Sequence, residues 1–197
     1  GCGKNVGVFQ ILRNILGRFH IPIIIDADGL NHISRDMNLL KSHPAQIILT
    51  PHPGEMSVLT GIAPEDILKR PVEIAAETAR KYGVVVLLKG AASVVADPFD
   101  GRIYLNRSGN SGMAKGGSGD VLTGMIASLV AQGYDPFDAA VLGCYIHGRA
   151  GDEAARVRGE VGMTAGDLID AIPRTFQKLY GLKGKPNEPE QARNALV

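Results

Sequence analysis

The sequence predicts an α/β layer fold in which helices pack on a largely parallel sheet. Three observations predict it. Short, wholly apolar runs (Pro22-Ile23-Ile24-Ile25, Ile47-Ile48-Leu49 and Val84-Val85-Val86-Leu87-Leu88) alternate with segments of helical periodicity. Runs apolar on both faces belong to strands covered on both sides, which is the environment of a parallel sheet. The chain has 197 residues, 45% of them hydrophobic, enough for one sizeable core and short for two, and no internal repeat or linker interrupts the alternation.

Val6 to Phe19 carries apolar residues at helical spacing (Val8, Leu12, Ile15, Leu16, Phe19), and the Pro22–Ile25 run follows as a short strand ending at Asp26. Ser34 to Lys41 reads as a helix, Ile47–Leu49 as a second strand, and Pro51-His52-Pro53-Gly54 stops that strand before a helix opened by Glu55. Pro71 starts a helix that runs to Tyr82 and is stopped by Gly83, after which Val84–Leu88 is a buried strand. Ser93 to Ala96 and Arg102 to Leu105 flank Asp97-Pro98-Phe99-Asp100-Gly101, whose turn residues predict an antiparallel hairpin and hence a mixed edge. The remainder reads as helices over Gly119 to Gln132, Pro136 to about Val157, and Thr164 to Leu179, the last opened by a near capping box, Thr164-Ala165-Gly166-Asp167. Residues 1–183 are expected to form a single domain, and 184–197 a loose polar tail.

Composition excludes several functions. Lys and Arg number 21 against 20 Asp and Glu, and the charges are dispersed, so no basic stripe points to nucleic acid. The two cysteines, Cys2 and Cys144, make neither a disulfide framework nor a metal cluster and fit a reducing cytosol. No run approaches the roughly 20 apolar residues that cross a bilayer, and the N-terminus lacks a signal pattern, so a soluble, cytoplasmic protein is expected.

The stretch from Asn106 to Asp120 (NRSGNSGMAKGGSGD), placed after a strand and before an apolar helix, is the most informative. Gly116, Gly117 and Gly119 leave successive backbone N–H groups free at a helix N-terminus, an anion hole suited to a phosphate. Asp120 sits in the first turn, where a carboxylate takes a proton from a hydroxyl attacking phosphorus; a lone Asp there is otherwise a helix-dipole residue, and the preceding glycines favour catalysis. Lys89 ends the most buried strand, within reach of a nucleotide phosphate, and Gly90 permits close backbone approach. His52, between two prolines at a strand's carboxyl end, is a crevice residue or a solvent-facing turn histidine. Glu55 holds a magnesium water or compensates the helix dipole, with the two readings equal. Asp26 and Asp28 bind a hydroxyl or metal water, or merely mark a turn, and are assigned no role. His147 is read as a packing histidine outside the site.

Gly116-Gly117-Ser118-Gly119-Asp120 with Val121-Leu122-Thr123-Gly124 resembles the signature of the ribokinase superfamily. Within it, Asp26-Ala27-Asp28-Gly29-Leu30-Asn31, Thr50-Pro51-His52-Pro53-Gly54-Glu55 and Gly109-Asn110-Ser111-Gly112-Met113-Ala114 together resemble the ADP/ATP-dependent NAD(P)H-hydrate dehydratase family, over residues 1 to 180. The resemblance implies a ribokinase-like three-layer α/β/α domain from which the first strands and helix are missing. It implies ADP or ATP as phosphoryl donor with Mg²⁺, the S epimer of hydrated NADH or NADPH as substrate, a homotetramer, and a possible epimerase partner domain. It makes Lys89, Gly90, Ala91, Ala92, Ser93, Gly117, Ser118 and Gly119 nucleotide contacts, His52 and Gly3 substrate contacts, and Asp120 both substrate contact and catalytic carboxylate. Gly1 to Gly7 resembles the family's Gly-x-Gly loop, although it also reads as a poor dinucleotide fingerprint with Asp26 or Asp28 as ribose carboxylate. The competing functions are a small-molecule kinase of the same fold, acting on a thiazole alcohol, a pyridoxal-like alcohol or a sugar, and a non-catalytic nucleotide-binding remnant.

Overall fold

The computed structural model describes Cys2, Gly3 and residues 5–181; the expected tail lies outside the described residues. Helix α1 (Val6–Arg18) leads to β1 (Ile23–Ile25), α2 (Asp28–Ile33) and β2 (Ile47–Leu49). Helices α3 (Pro53–Thr60), α4 (Pro64–Lys69) and α5 (Pro71–Tyr82) precede β3 (Val85–Leu88), and the hairpin β4 (Ser93–Ala96) and β5 (Ile103–Asn106) follows. Three helices end the described chain: α6 (Ser118–Ala131), α7 (Pro136–Gly162) and α8 (Ala165–Leu179).

The sheet has the order β1-β2-β3-β4-β5. Strands β1 to β3 are parallel, with Ile23 opposite Ile47 and Leu49 opposite Val86, and β4 and β5 run antiparallel, with Val86 opposite Ala96. The mixed edge expected from the Asp-Pro-Phe-Asp-Gly turn is present. Alternation divides each strand between two cores. Leu49, Val86, Leu88, Val94 and Ala96 face α2, α3 and α5, whereas Ile48, Val85, Leu87 and Val95 face Leu122 and Ile126 of α6 and Ala140 and Cys144 of α7. This is a helix–sheet–helix sandwich, and α8 covers α7 through Ala154, Met163 and Leu168.

Some boundaries differ from expectation. The helix expected over Ser34 to Lys41 is replaced by α2, which ends at Ile33, and a 3₁₀ turn at Met37–Ser42. Asp36 causes the break: its side chain accepts from the Asn38 amide and caps a new turn instead of continuing the old one. Helix α3 opens at Pro53 rather than Glu55, and α4 was not foreseen, although Pro64 at its first position followed by Glu65 and Asp66 is a standard start. Helix α7 continues to Gly162 through a break at Gly159, whose φ of 73° is left-handed.

Candidate functional site

The carboxyl ends of the parallel strands deliver the polar residues. Asp26 follows β1, Pro51 and His52 follow β2, and Lys89 follows β3, so residues dispersed through the sequence meet at one edge of the sheet, where the amino end of α6 also arrives. The Lys89 amide donates to the Pro51 carbonyl at 2.7 Å, which prolongs the parallel ladder by one bond and fixes the lysine's origin. Its ammonium donates to Asp26 Oδ1 at 2.8 Å and lies 3.6 Å from Glu55 Oε2. Thr123 of α6 donates to the other Asp26 oxygen at 3.0 Å. Asp26 therefore ties β1, β3 and α6 together. Sequence reading gave it no role because a carboxylate beside Asp28-Gly29 resembles turn chemistry, and Thr123 was missed because a threonine one turn into an apolar helix gives no signal alone.

The backbone after Asp26 is strained. Ala27 has φ 49° and ψ −121°, the one non-glycine residue with positive φ among the described residues. Such conformations cost about 1–3 kcal/mol and persist where neighbours over-determine them. Here Asp26 is held by Lys89 and Thr123, while Asp28 accepts from the Gly3 amide at 2.9 Å. Gly3, expected at the substrate, is thereby laced to the β1–α2 turn, and His32 Nε2 donates to its carbonyl at 2.7 Å.

His52 and Glu55 form a reciprocal cap. His52 Nδ1 accepts from the Gly54 and Glu55 amides at 3.0 and 3.2 Å, and Glu55 Oε2 accepts from the His52 amide at 2.9 Å. With Nδ1 an acceptor, a neutral His52 carries its proton on Nε2, which lies 3.4 Å from Glu55 Oε1 in a half-exposed ring. Glu55 thus compensates the helix end and also faces Lys89. Gly90 and Ser93 close the β3–β4 turn, the Gly90 amide donating to Ser93 Oγ at 3.2 Å, and leave Ala91 and Ala92 exposed at its tip.

The glycine turn enters α6 through Gly117, which adopts φ 88° as N-cap. Only the Ser118 amide is consumed by the turn, donating to the Lys115 carbonyl at 3.3 Å, and Val121 donates to Gly117. The amides of Gly116, Gly117, Gly119 and Asp120 have no acceptor among the described residues. Unpaired amides at a helix N-terminus are the donors that an anion site requires. A Cβ built on Gly119 would lie 3.5 Å from Lys89 Nζ and 3.6 Å from Asp26 Oδ2, so the free amides and the ammonium border the same small space. Asp120 is exposed and lines a groove of about 670 Å³ that runs from Gly117 between α6 and α8, walled by Val121, Met125, Ile169 and Phe176.

His147 is buried, as expected, but it is not remote: its Nε2 lies 3.5 Å from Ser118 Oγ, directly behind the turn. Burial pushes its pKa down to about 4, so it is neutral near pH 7. No trio of His, Cys, Asp and Glu side chains able to hold a metal occurs among the described residues. No described helix is long and apolar enough to cross a membrane.

The chain is similar to known proteins in both sequence and structure. The chain is 47% identical over 179 residues to the bifunctional NAD(P)H-hydrate repair enzyme Nnr of Moorella thermoacetica, covering 91% of this chain and 34% of that protein. It is 38% identical to the ADP-dependent (S)-NAD(P)H-hydrate dehydratase of Neisseria meningitidis serogroup B, over 87% of this chain and 60% of that one. It thus spans about a third of the first relative's length. A crystal structure of ADP/ATP-dependent NAD(P)H-hydrate dehydratase from Bacillus subtilis, co-crystallised with ATP and Mg²⁺, superposes with a TM-score of 0.78 at 33% identity, covering 88% of this chain and 60% of that chain. The family profile described as NAD(P)H-hydrate dehydratase matches residues 1–174, and with relatives of this identity the chain belongs to that family.

Proposed function

We propose that this chain is the dehydratase unit that returns the S epimer of hydrated NADH or NADPH to NAD(P)H at the expense of ADP or ATP. The observation that carries the reading is the meeting of Lys89 and Asp26 with the free amides of the Gly116–Asp120 turn, beside the exposed carboxylate of Asp120. In the hydrated cofactor a hydroxyl sits on a carbon bonded to the ring nitrogen, and hydroxide is a poor leaving group. Asp120 takes the hydroxyl proton as its oxygen attacks the terminal phosphorus of the nucleotide. The bond from that phosphorus to its bridging oxygen breaks, leaving AMP from ADP or ADP from ATP. The turn amides stabilise the charge on the transferred group, and Lys89 moves from Asp26 to the phosphates. The ring-nitrogen lone pair then expels inorganic phosphate, and the resulting cyclic iminium loses a proton from the adjacent ring carbon to water or to the departing phosphate, which restores the ring double bond of the dihydronicotinamide.

Mg²⁺ fits the residues present. Asp26 and Glu55 share one ammonium, which leaves a surplus negative charge beside an anion site. Two carboxylates, with no larger protein cage among the described residues, suit an ion that takes the rest of its shell from water and phosphate oxygens. Bound there, it neutralises phosphate charge. The groove beside Asp120 is large enough for a base or nicotinamide ring. The bifunctional relatives support an epimerase partner domain. A homotetramer in the cytoplasm completes the proposal, and the free thiols Cys2 and Cys144 suit that compartment.

The test incubates the protein with hydrated NADH, Mg²⁺ and either ADP or ATP, following NADH absorbance and phosphate release. Asp120→Asn, which disturbs no described hydrogen bond, is expected to retain the fold and lose about 10²–10⁴-fold in rate. A stable, stoichiometric phosphoester would identify a kinase instead.

A further inference from the structure

A lysine in a glycine-rich turn ordinarily suggests a phosphate ligand, and Lys115 directly precedes Gly116-Gly117. Its ammonium is engaged elsewhere. It donates to the carbonyls of Glu160, Val161 and Met163 at 3.1, 2.7 and 2.5 Å. An ammonium has three N–H donors and no others, so this side chain is saturated by the carboxyl end of α7. Those carbonyls are unpaired because the helix breaks at Gly159 and ends, and a cation there also opposes the negative end of the helix dipole. The attachment is close: Ser111 donates to the Glu160 carboxylate, and a Cβ on Gly112 would lie 2.5 Å from the Glu160 carbonyl.

The backbone of the same residue reaches the anion site, because the Lys115 carbonyl accepts from the Ser118 amide at 3.3 Å. Ser118 in turn meets His147, more than three turns back along α7. The glycine turn is therefore fastened to α7 at two points, through Lys115 to the segment beyond the Gly159 break and through His147 in its middle. Two amides between these fastenings, of Gly116 and Gly117, and two just beyond Ser118, of Gly119 and Asp120, are left for a ligand. Free donors in a glycine-rich turn have no orientation of their own, since glycine admits many backbone conformations. Their alignment has to come from an external frame.

The geometry points to Lys115 as the positioning residue of the phosphoryl-binding turn, acting through the carboxyl end of α7 without touching the phosphate. The kinetic part of this inference rests on the proposed dehydratase reading; the structural part does not. A displacement of about 1 Å in a catalytic group costs on the order of 10²-fold in rate. Lys115→Met, which keeps the aliphatic stem and removes all three donors, is expected to lower kcat by about 10- to 100-fold while the KM for ADP changes less than about threefold. Lys115→Arg, which restores donors to the same carbonyls, is expected to recover most of kcat.

The experiment measures kcat and KM for ADP in the full chain for the parent, Lys115→Met and Lys115→Arg, with amide hydrogen exchange of Ser118 and Val121, the two bonded amides of the turn, on the same samples without nucleotide. Faster exchange in Lys115→Met, with the kcat loss and Arg rescue, supports the assignment. An unchanged kcat overturns it, as does a tenfold rise in the KM for ADP at constant kcat, which would make Lys115 a phosphate ligand. Unchanged exchange overturns it whatever the activity. If the parent itself returns no NADH, the dehydratase reading fails and exchange alone judges Lys115. Should Lys115→Met not fold, Lys115→Gln is held to the same outcomes.

Discussion

Replacing Gly119 by alanine should move stability and activity in opposite directions. Gly119 occupies the first turn of α6 and its φ is not left-handed, so an L side chain is admitted without backbone strain. The added Cβ would have Lys89 Nζ at 3.5 Å and Asp26 Oδ2 at 3.6 Å as its nearest neighbours, both ordinary van der Waals separations. The folded protein therefore has room for the methyl, and glycine to alanine in a helix gains up to about 0.5–1 kcal/mol. At about 2–4 °C per kcal/mol for a chain of this size, Tm should rise by about 1–4 °C. The space filled is the one between the free amides and the ammonium. An anion there needs about 2.7–3.1 Å to its donors, whereas a methyl holds neighbours at about 3.5–4 Å, so a phosphoryl group is displaced by close to 1 Å. A loss of kcat/KM of at least about 100-fold follows. Thermal unfolding and NADH recovery with ADP are measured on the same preparation. Activity within tenfold of the parent would refute the placement of the anion in that space, and a lower Tm would refute the room for the methyl.

Three further outcomes are expected. Lys89→Met leaves Asp26 and Glu55, both largely buried, without their shared cation; it should destabilise by about 1–3 kcal/mol and raise the KM for ADP by tenfold or more, read by denaturant unfolding and steady-state kinetics. Gly148→Ala places a Cβ 2.1 Å from Ser108 Oγ and 2.6 Å from the Ser108 carbonyl, so α7 is pushed off the 108–113 loop at a cost of about 1–3 kcal/mol or more; an unchanged Tm would contradict the packing. His147 titrates near 4 when folded and near 6.5 when unfolded, so between these values the unfolded chain binds more protons. Stability is then complete above about pH 6.5 and is lost as pH falls towards 4, by up to about 3 kcal/mol. His147→Gln should remove that part of the pH slope, and coincident slopes would show that His147 does not supply it.

Much of this protein was legible in the order of its residues. Apolar runs such as Val84 to Leu88 require burial on both faces, so a largely parallel sheet covered by helices follows from hydrophobicity, and the family resemblance added the three-layer ribokinase-like arrangement. The hairpin after Gly90, the helix beginning near Ser118 and the cap at Thr164 are likewise local, set by turn and capping chemistry within a few residues. The glycine turn stood out because glycine is how a sequence exposes backbone, and the proposed anion site is made of backbone amides. What stayed hidden depends on side chains brought together across long separations. Asp26 resembles a turn residue until β1 and β3 place it on Lys89, 63 residues away, and Thr123 bonds it from 97 residues away. Lys115 resembles a phosphate ligand until the broken end of α7 offers it three carbonyls. His147 resembles core until Ser118 is set in front of it. A sequence can specify which groups exist and which backbones bend; which charge meets which partner is decided by packing, because only the close approach of helices and strands removes the water that would otherwise satisfy each group alone.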